Sequence, residues 1–360
     1  MRKYLTTLIF LMSGILFFNI SNLNAQNLDE TLDNLSSTAA QAYVAPVISA
    51  FGSNLNSGWV SAVPSELIGF TLRIKVVGVG SFFNDDSKRF STSGDFRFTS
   101  SQVDRILQNE TSLSPGSLEY LAIKDFILDR DWTVNMSGPT IVGSGDENFR
   151  AVFPGTTLSG AQFGSMDGEQ IGEYAVEIEE VTGFLDELPA LPQVAAQVTL
   201  GTVMGTNVAI RWFPDIEIQD LGKFSFFGIG FIHNPSSWLN VPVPVDVGIG
   251  YFYQSMKVGD LFESSASQYG IFASKKFGMG ISVTPYLGLT LETSETTLSY
   301  TYQFDTPAGP QDTDFTLDLE GENSFGTTVG VAFQLAVINL FVDYKMAKTS
   351  TLSAGLWFGF

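Results

Sequence analysis

At 360 residues, with 18 Lys and Arg against 38 Asp and Glu, the chain carries a formal net charge of −20. That balance disfavours nucleic acid as a partner, which requires clustered cations. The absence of cysteine leaves no disulfide framework and no lipid-anchored Cys, while 31 Phe and an aromatic content of 13% argue against an acidic disordered chain.

Residues 1–25 have the order of a secretory signal peptide: Met1-Arg2-Lys3, an apolar run from Tyr4 to Ile20, then small Ala25 before Gln26. Residues 26–65 read as a helical segment. Asn27 and Glu30 fit a capping pattern, Leu28, Leu32 and Leu35 share one helical face, Pro46 is expected to kink the helix and Gly52 can end it. Such a segment is not stable free in water. It either plugs the lumen of a barrel built by the strands C-terminal to it, with Leu28, Leu32 and Leu35 as its buried stripe, or packs on the periplasmic mouth.

From residue 66 onward no stretch reaches the ~18 consecutive apolar residues of a spanning helix. Apolar residues recur instead at every second position. Val243, Val245, Val247, Ile249, Tyr251 and Tyr253 alternate with polar or small residues, as do Ile281, Val283, Leu287, Leu289 and Leu291, and Ile338, Leu340, Val342, Tyr344 and Met346. Each such segment is a strand with one apolar face. A soluble sandwich alternates too, but these segments are about 10–12 residues long, the length that crosses a bilayer when tilted. Aromatics such as Trp212, Phe213, Phe226 and Phe227 collect at segment ends, as in interfacial girdles. The stretch 84–170 is irregular, with strands expected near 88–99, 132–142 and 147–153 and a helix near 102–109. Residues 170–182 alternate again. The sequence therefore predicts an all-β chain: a transmembrane antiparallel β-barrel over 66–360 with about 14 strands, in a range of about 10–16, and a short N-terminal helical plug.

The chain ends "TSTLSAGLWFGF", with Leu352, Leu356, Phe358 and Phe360 on one face. This resembles the C-terminal assembly signal of bacterial outer-membrane β-barrels. The resemblance implies recognition by the barrel-assembly machinery, a location in the bacterial outer membrane after signal removal, and a periplasmic C-terminus. In architecture the chain is similar to the long-chain fatty-acid transporter type, which has a hatch inside its barrel. "FFGIGFIHNPSSWL" and "PVPVDVGIGYFYQ" resemble an uncharacterised barrel family.

The opposite strand faces are polar. Arg73, Lys75, Glu173, Glu177, Glu179, Arg211, Asp246, Asp343 and Lys345 are expected to face the lumen. Asp29, Glu30 and Asp33 of the plug could meet its arginines and lysine. Two strands, 279–304 and 314–335, look taller than a bilayer, and a change of apolar parity near Ser294 suggests a bulge. Asp314, Asp318 and Glu320 on that hairpin could hold Ca²⁺, although a solvated outer face is the plainer reading. The single histidine, His233, sits in a turn-like "HNP" close to Ser236 and Ser237, a poor basis for a triad. No catalytic residue and no cofactor is indicated. Two functions stay open: plug-gated or passive passage of a small, hydrophobic molecule, or a non-conducting barrel that anchors surface or secretion partners. A barrel hydrolase is a third. Outer-membrane lipid and the assembly machinery are the expected partners, and no substrate is legible.

Overall fold

The computed structural model describes residues 37–359, apart from 180, 184, 187, 219–221, 239–243, 307–308 and 336–337, and apart from the side chains of 37, 71, 218 and 300–315. The signal segment, the plug candidates Leu28, Leu32 and Leu35, their acidic neighbours, and Phe360 lie outside the described residues. The chain divides into two units, one built from Val47–Asn84 and Leu188–Phe360, the other from residues 37–46 and Asp85–Glu187.

Helix α1 (Ser37–Leu55) contains Pro46 and passes there from the second unit to the first. Strand β1 (Ile68–Phe82) comes next. The second unit then carries β2 (Arg89–Phe96), α2 (Ser100–Glu110), α3 (Leu118–Leu128), β3 (Trp132–Pro139), β4 (Phe149–Phe153), β5 (Thr156–Thr157), β6 (Gln170–Ile171) and β7 (Tyr174–Ile178). Back in the first unit come β8 (Ala190–Val203), β9 (Thr206–Ile218), β10 (Gly222–His233), β11 (Asp246–Val258) and β12 (Phe262–Ser274). The chain ends with β13 (Ile281–Thr306), β14 (Gly309–Glu320), β15 (Phe325–Leu335), β16 (Ile338–Met346) and β17 (Thr351–Gly359).

In the first unit the strands run antiparallel in the order β12-β11-β10-β9-β8-β1-β17-β16-β15-β13, and β12 pairs with β13 to close a barrel of 10 strands. Strand β14 stands outside the ring, paired with the later part of β13. Ser81 lies opposite Thr351 and Arg73 opposite Gly359, so β1 starts at the mouth where β17 ends. We call this the C-terminal mouth and the other the far mouth. The barrel lies at the low end of the expected range of about 10–16 strands rather than at about 14, for a specific reason. Four alternating segments assigned to the barrel, β2, β3, β4 and β7, form a separate sheet in the second unit. Alternation reports a half-buried strand, whatever covers its buried face.

Outward side chains of the barrel make an apolar belt. Ile338, Leu340, Val342, Tyr344 and Met346 are exposed on β16, whereas Asn339, Phe341, Asp343 and Lys345 are buried. Ile74 and Val76 on β1, Ile229 and Phe231 on β10, Ile249 on β11, Leu287 and Leu289 on β13, and Leu352, Leu356 and Phe358 on β17 are exposed in the same way. A ring of exposed large apolar side chains around polar inward ones is the surface a bilayer stabilises and water does not.

The expected bulge near Ser294 is absent. Pairing of β12 with β13 runs without a shift from Ser274↔Tyr286 to Phe262↔Leu298. Outward and inward residues keep their parity past Leu291: Thr293 and Glu295 are exposed, and Ser294 and Thr296 buried. What changes is the solvent. Below Leu291 the outward residues are apolar, and above it they are polar, because the strand has left the apolar belt.

The second unit is a four-stranded antiparallel sheet in the order β2-β3-β4-β7 with α2 and α3. Phe96, Phe98, Phe149, Phe153 and Phe163 are buried in its core. Helix α2 lies close to the helix expected near 102–109, and Val103, Ile106 and Leu107 form its buried face. The helices are tied by Asp104, which accepts from Tyr120 Oη and Lys124 Nζ, both at 2.7 Å. The Lys124 ammonium and the Tyr120 hydroxyl hold the Asp104 carboxyl below the usual range.

Candidate functional site

Inside the barrel, polar inward residues meet residues 47–64 of the N-terminal segment. The contacts run in one direction. At the far mouth Ser49 Oγ accepts from the Glu322 amide at 3.2 Å. Ser53 Oγ lies 2.6 Å from Thr351 Oγ1 and donates to the Thr349 carbonyl at 3.0 Å. Asn54 donates to the Leu191 carbonyl and accepts from Ser81, both at 2.8 Å. Deeper in, Asn56 donates to the Thr293 carbonyl at 3.2 Å. At the C-terminal mouth the Val63 amide donates to Ser274 Oγ at 3.0 Å, and Asn234 donates to the Pro64 carbonyl. The segment therefore runs from the far mouth to the C-terminal mouth before turning into β1.

The local sequence explains this path. Gly52 does not end α1, which continues to Leu55. It is a point of close approach, since a β-carbon there would collide with Ser294 Oγ. Gly58 has φ +67°, a left-handed conformation that favours glycine, and a β-carbon there would lie 2.7 Å from Val77 Cγ2. Below this turn Trp59, Val60 and Val63 pack with Ala209, Ile232, Phe252 and Phe272. Trp59 packs against Phe252 at a tilt of 35°, with ring centroids 5.1 Å apart. Apolar side chains of segment and wall thus bury one another between two polar mouths.

Buried charges surround Trp59. Lys345 and Glu292 form an ion pair at 2.8 Å, their side chains 2% and 0% exposed. Glu292 also accepts from Thr290, and Lys345 donates to the Ser53 carbonyl at 3.2 Å. Asp343 accepts from Tyr286 Oη at 2.8 Å. The Arg211 guanidinium is fully buried against Trp59, 3.8 Å from the ring centre. It donates to Gln197, Gln254 and the Ser57 carbonyl at 3.1, 3.0 and 2.8 Å, all neutral acceptors. Lys75 donates to the Trp59 carbonyl at 3.3 Å and lies over the Phe341 ring. Two cavities flank Trp59. One, of about 20 Å³, is lined by Tyr286, Asp343 and Lys345, and the other, of about 30 Å³, by Arg73 and Lys75.

Of the residues expected to face the lumen, Lys75, Arg211, Asp343 and Lys345 are buried inside the barrel, and Arg73 and Asp246 are half-buried on its inward parity. Glu173, Glu177 and Glu179 are not on strands of the barrel. They lie in and beside β7 of the second unit's sheet, exposed, with Glu177 opposite Arg150. Their shared parity is that of a solvated sheet face. Asp318 and Glu320 are exposed on β14, and Asp318 accepts from Thr297 at 2.8 Å. The side chain of Asp314 is outside the described residues. His233 Nδ1 lies 2.9 Å from Thr206 Oγ1 and its ring meets Trp238, while Ser236 and Ser237 bond to Asn234. These contacts are those of a turn.

The sequence reading missed the anchoring residues Ser49, Ser53, Asn54, Asn56 and Ser57. The available signal was "SAFGSNLNSGW", which carries small hydroxyl and amide side chains and no charge, a composition suited to pairing inside a polar lumen.

Among solved structures the chain is similar to OmpT lacking loop L8, an outer membrane protein of Vibrio cholerae, at 10% identity over 82% of this chain and 100% of that one, with a TM-score of 0.22. It is similar to the beta domain of the Bordetella autotransporter BrkA at 10% identity, over 81% and 99% of the two chains, with a TM-score of 0.21. It is similar to an anion-selective porin from Comamonas acidovorans at 10% identity, over 81% and 98%, with a TM-score of 0.16. No curated protein matches it. Over residues 1–360 the sequence matches the family described as DUF6588, a family of unknown function, and the chain belongs to that family.

Proposed function

We propose that this protein is a non-conducting outer-membrane β-barrel that anchors its second unit at the cell surface. The observation that carries the reading is the lumen, occupied from mouth to mouth by residues 47–64 through hydrogen bonds at both ends. The orientation rests on the resemblance of Leu352, Leu356 and Phe358 to an assembly signal, which makes the C-terminal mouth periplasmic. The chain leaves β1 for the second unit after Ser81, opposite Thr351, so it leaves at the far mouth. Outer-membrane lipid covers the belt, and the barrel-assembly machinery inserts it. Catalysis is outside the proposal, because His233 faces Thr206 and Trp238 rather than a serine.

A second reading, plug-gated passage of a small hydrophobic molecule, is favoured by the cavities on either side of Trp59. One experiment separates the two. The chain has no cysteine, so Ser114→Cys in the exposed α2–α3 connection gives a single thiol. On intact cells a membrane-impermeant maleimide should label it fully, and the purified full chain in planar bilayers should show no steady conductance. Labelling only after cell disruption would overturn the anchoring reading, and a stable open conductance would replace it with passage.

A further inference from the structure

Among the described inward side chains of the lumen, cations outnumber carboxylates. Of these, Lys345 is paired with Glu292, Asp343 is engaged by Tyr286, and half-buried Asp246 sits at the C-terminal mouth opposite Ser274. That leaves Arg73, Lys75 and Arg211, on which Asp343 acts only as a longer-range coulombic neighbour of Lys75 and Arg211. None of the three forms an ion pair within 4.0 Å among the described residues. A cation removed from water without a counter-charge is costly, so buried cations normally hold an anion.

The geometry points to the place. The cavity on the β1 side of Trp59 is lined by Arg73, Lys75, Gln197, Thr199 and Asn207, with no carboxylate in its wall. Lys75, Gln197 and Asn207 are 3, 3 and 4% exposed. Among the described residues Lys75 Nζ has one hydrogen bond, to the Trp59 carbonyl at 3.3 Å, and lies over the Phe341 ring, which leaves N–H capacity for a ligand. Arg73 lies two residues nearer the C-terminal mouth on the same inward parity. Together they present two cations and neutral donors to one small space.

We propose that this cavity binds a small oxyanion, a carboxylate or phosphate group, between Lys75 and Arg73, with an amide donor from Asn207. The inference goes beyond the anchoring reading and stands apart from it, since a closed barrel and an open one could both hold the anion.

Lys75→Met is the sharpest variant. The Trp59 carbonyl keeps a donor in Gln197 Nε2 at 3.2 Å, so no orphaned acceptor is created. The full chain, folded in phosphatidylcholine vesicles at low salt, is titrated calorimetrically with inorganic phosphate and, separately, with acetate. Wild type should bind at least one of them saturably at one site, and Lys75→Met should weaken binding about tenfold or more, the worth of a charged hydrogen bond. Lys75→Arg and the exposed-lysine control Lys223→Gln should stay within a few-fold of wild type. Where Lys75→Met does not fold, Arg73→Gln at the half-buried edge should show the same direction of loss. Adding phosphatidylglycerol to the vesicles distinguishes the source. Unchanged phosphate binding supports a free anion, whereas competitive loss assigns the site to a lipid headgroup phosphate. No saturable binding of either anion by wild type, or binding by Lys75→Met and Arg73→Gln as tight as that of wild type, overturns the proposal.

Discussion

Lys345→Met should destabilise the barrel by about 3–5 kcal/mol, the usual cost of breaking a buried ion pair from one side. The pair lies at 2.8 Å with both side chains essentially inaccessible. Removing the ammonium leaves the Glu292 carboxylate with Thr290 as its remaining partner, and it takes a donor from the Ser53 carbonyl on the lumenal segment. The loss therefore acts on wall and segment together. Replacing both residues by apolar ones of similar volume, as Lys345→Met with Glu292→Met, should recover most of it, because the desolvation of both charges is then relieved. Urea unfolding from lipid vesicles, monitored by tryptophan fluorescence, measures both variants. A single variant within about 1 kcal/mol of wild type would mean that the pair is solvated and the lumen open.

The second large effect is on the lipid face. Leu289→Arg should cost about 2–4 kcal/mol, whereas Thr293→Arg, on the same strand and same outward parity, should cost about 0–1 kcal/mol. Leu289 is exposed within the apolar belt, and Thr293 is exposed four residues further toward the far mouth. Both side chains point outward, and the Thr293 hydroxyl bond to Ser267 is an exposed one, so the difference reads mainly the edge of the bilayer. Equal costs in a refolding titration would indicate that the belt does not face lipid.

Much of the barrel was legible in period-two patterning. Parity alone puts Lys75, Arg211, Asp343 and Lys345 on the inward face, and the structure buries all four. Parity could not separate barrel strands from β2, β3, β4 and β7, because a sheet buried on one face by helices produces the same alternation as one buried by a lumen. Nor could it separate a bulge from a change of solvent at Ser294, since both exchange the apolar residues between faces while only the first breaks register. The partners of the lumenal cations were out of reach for a different reason. The carbonyls of Ser57 and Trp59 accept from Arg211 and Lys75, whereas the acidic residues expected to meet them, Asp29, Glu30 and Asp33, lie outside the described residues. A backbone acceptor has no signature in composition, and its availability depends on the turn at Gly58 that ends the helical hydrogen bonding.

The central claim is that residues 47–64 thread the barrel from the far mouth. In a chain without cysteine, Ser53→Cys with Thr351→Cys places two thiols where the native hydroxyl oxygens are 2.6 Å apart. Mild oxidation of the folded protein in its membrane should join them quantitatively, read as a mobility shift under denaturing, non-reducing conditions and reversed by reductant. Two thiols that remain unjoined and react freely with a membrane-impermeant reagent would contradict the account.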